Sequence, residues 1–208
     1  MLNVGAGPGS YEPATGRVVA IEPSEVMLAQ RSDWSAPAVR AVGEHLPVRD
    51  QAFDVALAVL TIHHWTDPIA GLREMHRVAS RQVILHFEPD YPFWLADEYL
   101  PGTRTVDAGT PTVAAVAAAL PNARIEPIPI PHDCVDGFFA AYWRRPEAYL
   151  DPTVRANISN LARLGDDAIA PGLERLRSDL TSDAWDAAHH DLLAQTELDL
   201  GYRLIVTD

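Results

Sequence analysis

The residues with the clearest chemical use stand at the start of the chain, where Gly5, Ala6, Gly7, Pro8 and Gly9 follow the short apolar run Met1 to Val4. Glycine at alternate positions lets the backbone take positive φ and approach a ligand that a Cβ would hold off. A strand running into such a loop is a backbone surface for a small molecule. The dinucleotide fingerprint asks for G-x-G-x-x-G, but the sixth position here is Ser10. Pro8 also removes a backbone N–H from the loop, where a pyrophosphate would need donors. A ligand without phosphates suits this loop better.

A second apolar run, Val18 to Ile21, ends in Glu22 and Pro23, about where a neighbouring parallel strand would end. A carboxylate at that place can accept both hydroxyls of a ribose. Loop, second strand and terminal acid together predict a nucleoside site at the carboxyl edge of a doubly wound sheet.

With these residues in place, the chain resembles the class I S-adenosylmethionine-dependent methyltransferases, in the group that carries the methyltransferase type 11 domain. Gly43 to Val48 followed by Phe53 to Leu57 is similar to the family's third-strand loop and fourth strand. Leu60-Thr61-Ile62-His63-His64-Trp65-Thr66-Asp67 is similar to the motif after its fourth strand. The likeness runs from Met1 to about Glu88. It implies S-adenosyl-L-methionine as cofactor, S-adenosyl-L-homocysteine as product, and methyl transfer to oxygen, nitrogen or carbon of a small molecule. It also implies that Gly5, Ala6, Gly7 and Gly9 hold the methionine end and Glu22, beside Pro23, the ribose. Gly43 and Glu44 would then meet the adenine edge, Val59 and Leu60 the central part, and Met27 either the adenine or the core.

His64 is the candidate general base, since imidazole titrates near neutrality. Adjacent histidines point in different directions, so His63 and His64 cannot share a metal as an i, i+4 pair would, and no metal is expected. The sulfonium already activates the methyl, so aligning the attack and excluding water is most of the task, and no catalytic triad is needed. Asn3 and Val42 stand where relatives often have acids, and no helices precede the first strand. These departures keep open the alternative of a non-catalytic or regulatory methyltransferase-like protein with weak or no cofactor binding. The start also suggests an open site or a shortened form of a longer chain. A nicotinamide dehydrogenase would share the loop and Glu22 but lacks the sixth-position glycine and an evident Tyr-Lys pair.

The elements that must position these groups read in order. A crossover of about a dozen residues from Val4 to Val18, broken by Pro13 and Gly16, leaves room for only a turn or two of helix. Ser24 caps a helix to about Arg31, Ala38 to Val42 is the third strand, and Phe53 to Val59 is an apolar central strand. Asp67-Pro68 opens a helix with Ile69, Leu72, Met75, His76 and Ala79 on one face and Arg73, Glu74 and Arg77 on the other. Gln82 to Phe87 is the fifth strand, Thr112 to Leu120 a helix, Arg124 to Ile130 the sixth strand and Gly201 to Thr207 the seventh. The expected fold is α/β, a Rossmann-like doubly wound sheet of order 3-2-1-4-5-7-6 by resemblance, with a helical insertion before the last strand.

One domain is the default for 208 residues, 48% of them hydrophobic. Within it, residues 1–90 form the cofactor-binding core and 131–200 the insertion, a candidate substrate cap with helices over Asp136–Trp143, Pro152–Leu164, Pro171–Leu180 and Asp183–Leu193. His132, Asp133 and Arg144 either orient an acceptor or staple the insertion through buried ion pairs. Sixteen basic against 29 acidic residues, a net charge of -13, argue against nucleic acid as partner. Cys134 is the single cysteine, expected as a small buried residue, and excludes an internal disulfide. No apolar run is long enough for a membrane span and no signal sequence is evident, so a cytoplasmic protein is expected, with room for a homodimer.

Overall fold

The computed structural model describes all residues from Met1 to Asp208. In chain order the first elements are β1 (Leu2–Val4), β2 (Val19–Ile21), α1 (Glu25–Ala29), β3 (Ala38–Val39), β4 (Phe53–Val59), a 3-10 turn (Ile62–His64), α2 (Pro68–Val78) and β5 (Ala79–Phe87). They are followed by a π-helical turn (Leu95–Tyr99), α3 (Gly102–Val106), α4 (Val113–Ala118), β6 (Arg124–Pro127) and β7 (Ile130–Pro131). A 3-10 turn (Pro146–Leu150) leads to α5 (Pro152–Ala156), α6 (Ser159–Leu164), α7 (Asp166–Thr181), α8 (Ala184–Ala188), α9 (His190–Leu193), β8 (Glu197–Leu198) and β9 (Tyr202–Val206).

Two compact units result. The first takes Met1–Glu88, Gly109–Pro127 and Tyr202–Asp208, and the second takes Pro89–Ala108 and Ile128–Gly201. The first unit holds a seven-stranded sheet in the order β3-β2-β1-β4-β5-β9-β6. Strands β1 to β5 pair in parallel, whereas β9 is antiparallel to both β5 and β6. This is the Rossmann-like methyltransferase order expected from the sequence, with β9 as the seventh strand of the sheet.

Leu2, Val4, Ile21, Ala56, Ala58, Leu72, Met75, Val78, Ile84, Val116 and Ile205 pack into its core. Leu72, Met75 and Val78 of α2 are buried at helical spacing, but His76 is exposed, so the helix buries a narrower face than the sequence suggests. Asp67 caps α2 by accepting from the Ala70 N–H, and Pro68 stands at its first position. The helix passes straight into β5, which begins at Ala79, three residues before the expected start.

The third strand is two residues long, not five, and both are exposed at the sheet edge. No helix forms between β1 and β2; the crossover is built of turns, with Gly5, Gly7, Gly9 and Gly16 all at positive φ. Three of those glycines fall in the first five residues after the strand, where each disfavours a helical continuation.

In the second unit the expected sixth strand divides, because Ile130–Pro131 leaves β6 and pairs with Glu197–Leu198 in a two-stranded sheet. The helix expected over Asp136–Trp143 is absent. Backbone carbonyls of this stretch go elsewhere: Arg145 donates to that of Ala141, as well as to that of Cys134 just before it, and Trp94 Nε1 donates to that of Trp143 at 2.9 Å. Pro152–Leu164 breaks at Asn157 into α5 and α6, and Asp183–Leu193 breaks at His189 into α8 and α9. Helix α7 begins at Asp166, so that Pro171 lies inside it rather than at its start. Around Trp94 the Tyr99, Tyr149 and Trp185 rings meet edge to face.

Candidate functional site

At the carboxyl end of β1 the amides of Gly5 and Ala6 both donate to the Ile21 carbonyl, at 2.8 and 3.0 Å. The glycine loop is thereby bound to the end of β2 before any ligand arrives. A Cβ at Gly5 would overlap the Thr61 side chain, so the loop passes against the residue that follows β4 and Leu60. At Gly7, where φ is +54°, the space a Cβ would enter is open. Gly5 is therefore needed for internal packing and Gly7 for an open backbone surface.

Glu22 lies beneath this loop and is only 6% exposed. One carboxylate oxygen accepts from the Gly7 N–H and the other from the Ser24 N–H, each at 2.8 Å. A carboxylate has about four lone-pair directions, so two protein bonds leave acceptor capacity for two hydroxyls. Ser24 in turn caps α1 by accepting from the Met27 N–H at 3.3 Å. Pro23 is exposed and gives its carbonyl to Arg40, and Met27 is 40% exposed on a helix that buries no side chain. Met27 thus belongs to the open edge rather than to the core.

Two residues that spacing did not single out complete the loop. Arg31 pairs with Glu12, donates to the Gly7 carbonyl at 3.0 Å and to the Ala36 carbonyl at 2.9 Å, while Glu12 accepts from the Ala36 N–H at 2.7 Å. No motif marks them, because the pair joins positions 19 apart across an irregular crossover.

The other end is arranged differently. Trp65 is inserted between Gly43 and Gly71: a Cβ at Gly43 would come within 2.9 Å of the indole, and one at Gly71 would overlap it. Glu44 accepts from the N–H groups of Thr66 and Asp67, at 2.6 and 3.1 Å, and so ties the Gly43 turn to the start of α2. Glu44 is neither the plain solvated acid that its loop position allowed nor a carboxylate directed only at a ligand.

At the end of β4, Val59 and the following Leu60 are half-buried, and Leu60 holds φ +48° while its N–H donates to the Leu85 carbonyl at 2.9 Å. A β-turn-like excursion of a branched residue into this region is costly and fixes where the chain leaves the sheet. The imidazoles of His63 and His64 lie with centroids 3.9 Å apart, and His63 meets Phe87 edge to face at 5.2 Å. His64 is exposed; His86, by contrast, is fully buried on β5 with Nε2 at 2.8 Å from the Pro111 carbonyl. Burial holds the His86 imidazole below its ordinary pKa, with the Pro111 contact opposing. Glu88 accepts from the Val113 N–H and anchors α4.

In the second unit, Arg144 donates to His132 Nδ1 at 3.1 Å and to the carbonyls of Leu193 and Gln195, while Asp133 is exposed. These groups are a staple within that unit, made through carbonyls and an imidazole rather than a buried ion pair. Cys134 is a free, half-buried thiol, not fully buried. No group of three or more His, Cys, Asp or Glu side chains could hold a metal ion.

The sheet order and the loop at its carboxyl edge define a Rossmann-like methyltransferase architecture. Residues 2–87 match the family model described as a methyltransferase domain of the type 11 group. The chain is 32% identical to a protein of Anabaena variabilis ATCC 29413, described as a candidate methyltransferase from an antibiotic biosynthesis pathway, over 100% of this chain and 89% of that one, with a TM-score of 0.92. The fold is shared with a Thermotoga maritima protein described as a SAM-dependent methyltransferase, a candidate histamine N-methyltransferase, at 20% identity over 62% of this chain and 66% of that one, TM-score 0.51. It is shared also with the YcgJ protein of Bacillus subtilis, at 17% identity over 99% of this chain and 89% of that one, TM-score 0.54. No curated protein matched the sequence. The chain belongs to the class I S-adenosylmethionine-dependent methyltransferases. No helix is long and apolar enough to cross a membrane.

Proposed function

We propose that the first unit binds S-adenosyl-L-methionine, releases S-adenosyl-L-homocysteine, and serves methyl transfer to oxygen, nitrogen or carbon of a small-molecule acceptor. The observation that carries this reading is the buried Glu22 carboxylate, fixed by the Gly7 and Ser24 amides beneath an open glycine loop. When bound, the cofactor supplies a methyl group on a sulfonium, already electrophilic. Glu22 accepts from the ribose hydroxyls with the lone pairs its two amide partners leave free. Gly5, Ala6, Gly7 and Gly9 present backbone to the methionine end, and Val59 and Leu60 border the central part. Gly43 and Glu44 border the adenine edge, with one Glu44 oxygen accepting both bonds from residues 66–67.

His64, exposed directly after this edge, is the base we assign to remove a proton from a hydroxyl or amine acceptor. Residues 131–200 are the stretch assigned to acceptor selection. Isothermal titration of S-adenosylmethionine and S-adenosylhomocysteine into the purified chain tests the reading. Micromolar binding that Glu22→Ala abolishes supports it, and the absence of heat with both ligands overturns it.

A further inference from the structure

The glycine loop of this chain has no helix behind it, yet its central residue, Gly7, is held through both its N–H and its carbonyl. The Gly7 N–H donates to Glu22, and the Gly7 carbonyl accepts from Arg31 at 3.0 Å. Arg31 reaches that carbonyl from a side chain only 7% exposed, paired with a Glu12 side chain only 8% exposed. A guanidinium presents five donors in a rigid fork, and here they are shared among Glu12, the Gly7 carbonyl and the Ala36 carbonyl. The second Glu12 oxygen accepts from the Ala36 N–H at 2.7 Å. Gly9 closes the arrangement, because a Cβ there would lie 3.4 Å from Glu12 Oε2 and 3.0 Å from Ser35 Oγ.

We propose that Glu12 and Arg31 are positioning residues for cofactor binding, a buried clamp that replaces the missing crossover helix and fixes the Gly7 backbone from its carbonyl side so that Glu22 is aligned beneath its N–H. This rests on the cofactor reading given above. Desolvation favours the arrangement as a device: a buried pair of opposite charges is a poor source of net stability against apolar residues of similar volume, but it fixes geometry. Burying it here costs solvation that packing alone would not require. What the chain gains is a loop whose carbonyl and amide are both assigned before the ligand binds, which lowers the ordering cost at binding.

The test compares wild type with Arg31→Lys and with the double variant Glu12→Met, Arg31→Met. Lysine keeps the charge opposite Glu12, but its donors all sit on one nitrogen and cannot reproduce the planar fork whose two terminal nitrogens reach the Gly7 carbonyl on one side and Glu12 and Ala36 on the other, and the methionines fill the volume without the bonds. In the ligand-free chain, amide hydrogen exchange over residues 5–12 is expected to rise about tenfold in both variants, with β4 and β5 unchanged, and the Kd for S-adenosylhomocysteine to rise about tenfold. A merely structural pair would instead lower Tm and raise exchange throughout the sheet. Folded variants that keep wild-type exchange and a Kd within about twofold overturn the proposal. If the double variant does not fold, Arg31→Lys alone decides between these outcomes by the same two readouts. If wild type does not bind the ligand while the variants still release the loop, the cofactor reading and the purpose assigned to the clamp both fail, and loop fixation by the pair stands.

Discussion

The two ends of the candidate site use the same residue type in opposite ways. Glu22 and Glu44 each follow a strand of the parallel half and each accepts two backbone N–H groups. Glu22 takes one donor, the Gly7 N–H, from the loop that would cradle a ligand and the other from Ser24 at the start of α1, so it is buried at that loop and ties the loop's shape to the end of β2. Glu44 takes its donors from the chain entering α2, so it sets the packing of a helix. A carboxylate's contribution to a site thus depends on whose amides claim it first. Acid at a strand end is only the starting condition.

The contrast breaks most readily at Glu22. Glu22→Ala is expected to weaken S-adenosylhomocysteine binding by about a hundredfold or more in titration calorimetry, since hydrogen bonds to a charged group contribute about 1.5–3 kcal/mol each and the loop amide is released as well. An affinity loss under about fivefold would put the ribose elsewhere. Among the glycines, Gly5→Ala drives a methyl into Thr61 at positive φ and should cost about 2–4 kcal/mol of stability in urea unfolding. Gly7→Ala meets open space and should cost about 1 kcal/mol from its φ alone while still weakening ligand binding. Equal losses of stability at the two positions would erase the difference in their roles.

A smaller effect comes from the buried imidazole on β5. His86 is held below the ordinary value of 6.5 by burial, so the unfolded chain takes up a proton that the folded chain refuses. Stability is complete above 6.5 and declines as pH falls from there through the folded pKa, at no more than about 1.4 kcal/mol per pH unit. His86→Gln should flatten the urea midpoint between about pH 5 and 7.5. Smallest is the change at the other acid: Glu44→Ala should remove about 1 kcal/mol of stability by loosening the start of α2 and leave ligand affinity within about threefold. A larger affinity loss would mean that Glu44 also serves the adenine.

The sequence made the parallel half legible because its signals are local or periodic. The glycine loop, the run ending at Glu22, the apolar strand Phe53–Val59 and the Asp67-Pro68 cap each declare themselves within a few residues. Sheet order came with the resemblance rather than with any pattern. What stayed hidden was the work of tertiary partners. The Glu12–Arg31 pair has no spacing rule, and Gly43 and Gly71 are explained only by the Trp65 ring between them. In the second unit, helical expectation failed where Arg145 and Trp94 drew backbone carbonyls away from a helix. His76 shows the same limit from the other side, since apolar spacing grouped it with residues that α2 buries and it lies in solvent.

The place of β9 bears on how this protein is made. Tyr202–Val206 pairs with β5 on one side and with β6 on the other. Both partners leave the ribosome well before it, and until it arrives each presents a row of unpaired amides and carbonyls. Synthesis therefore passes through a stage in which the sheet is divided and its apolar interior is open along the gap. Expression yield and the need for chaperones should depend on the speed at which β9 inserts as well as on the stability of the finished fold.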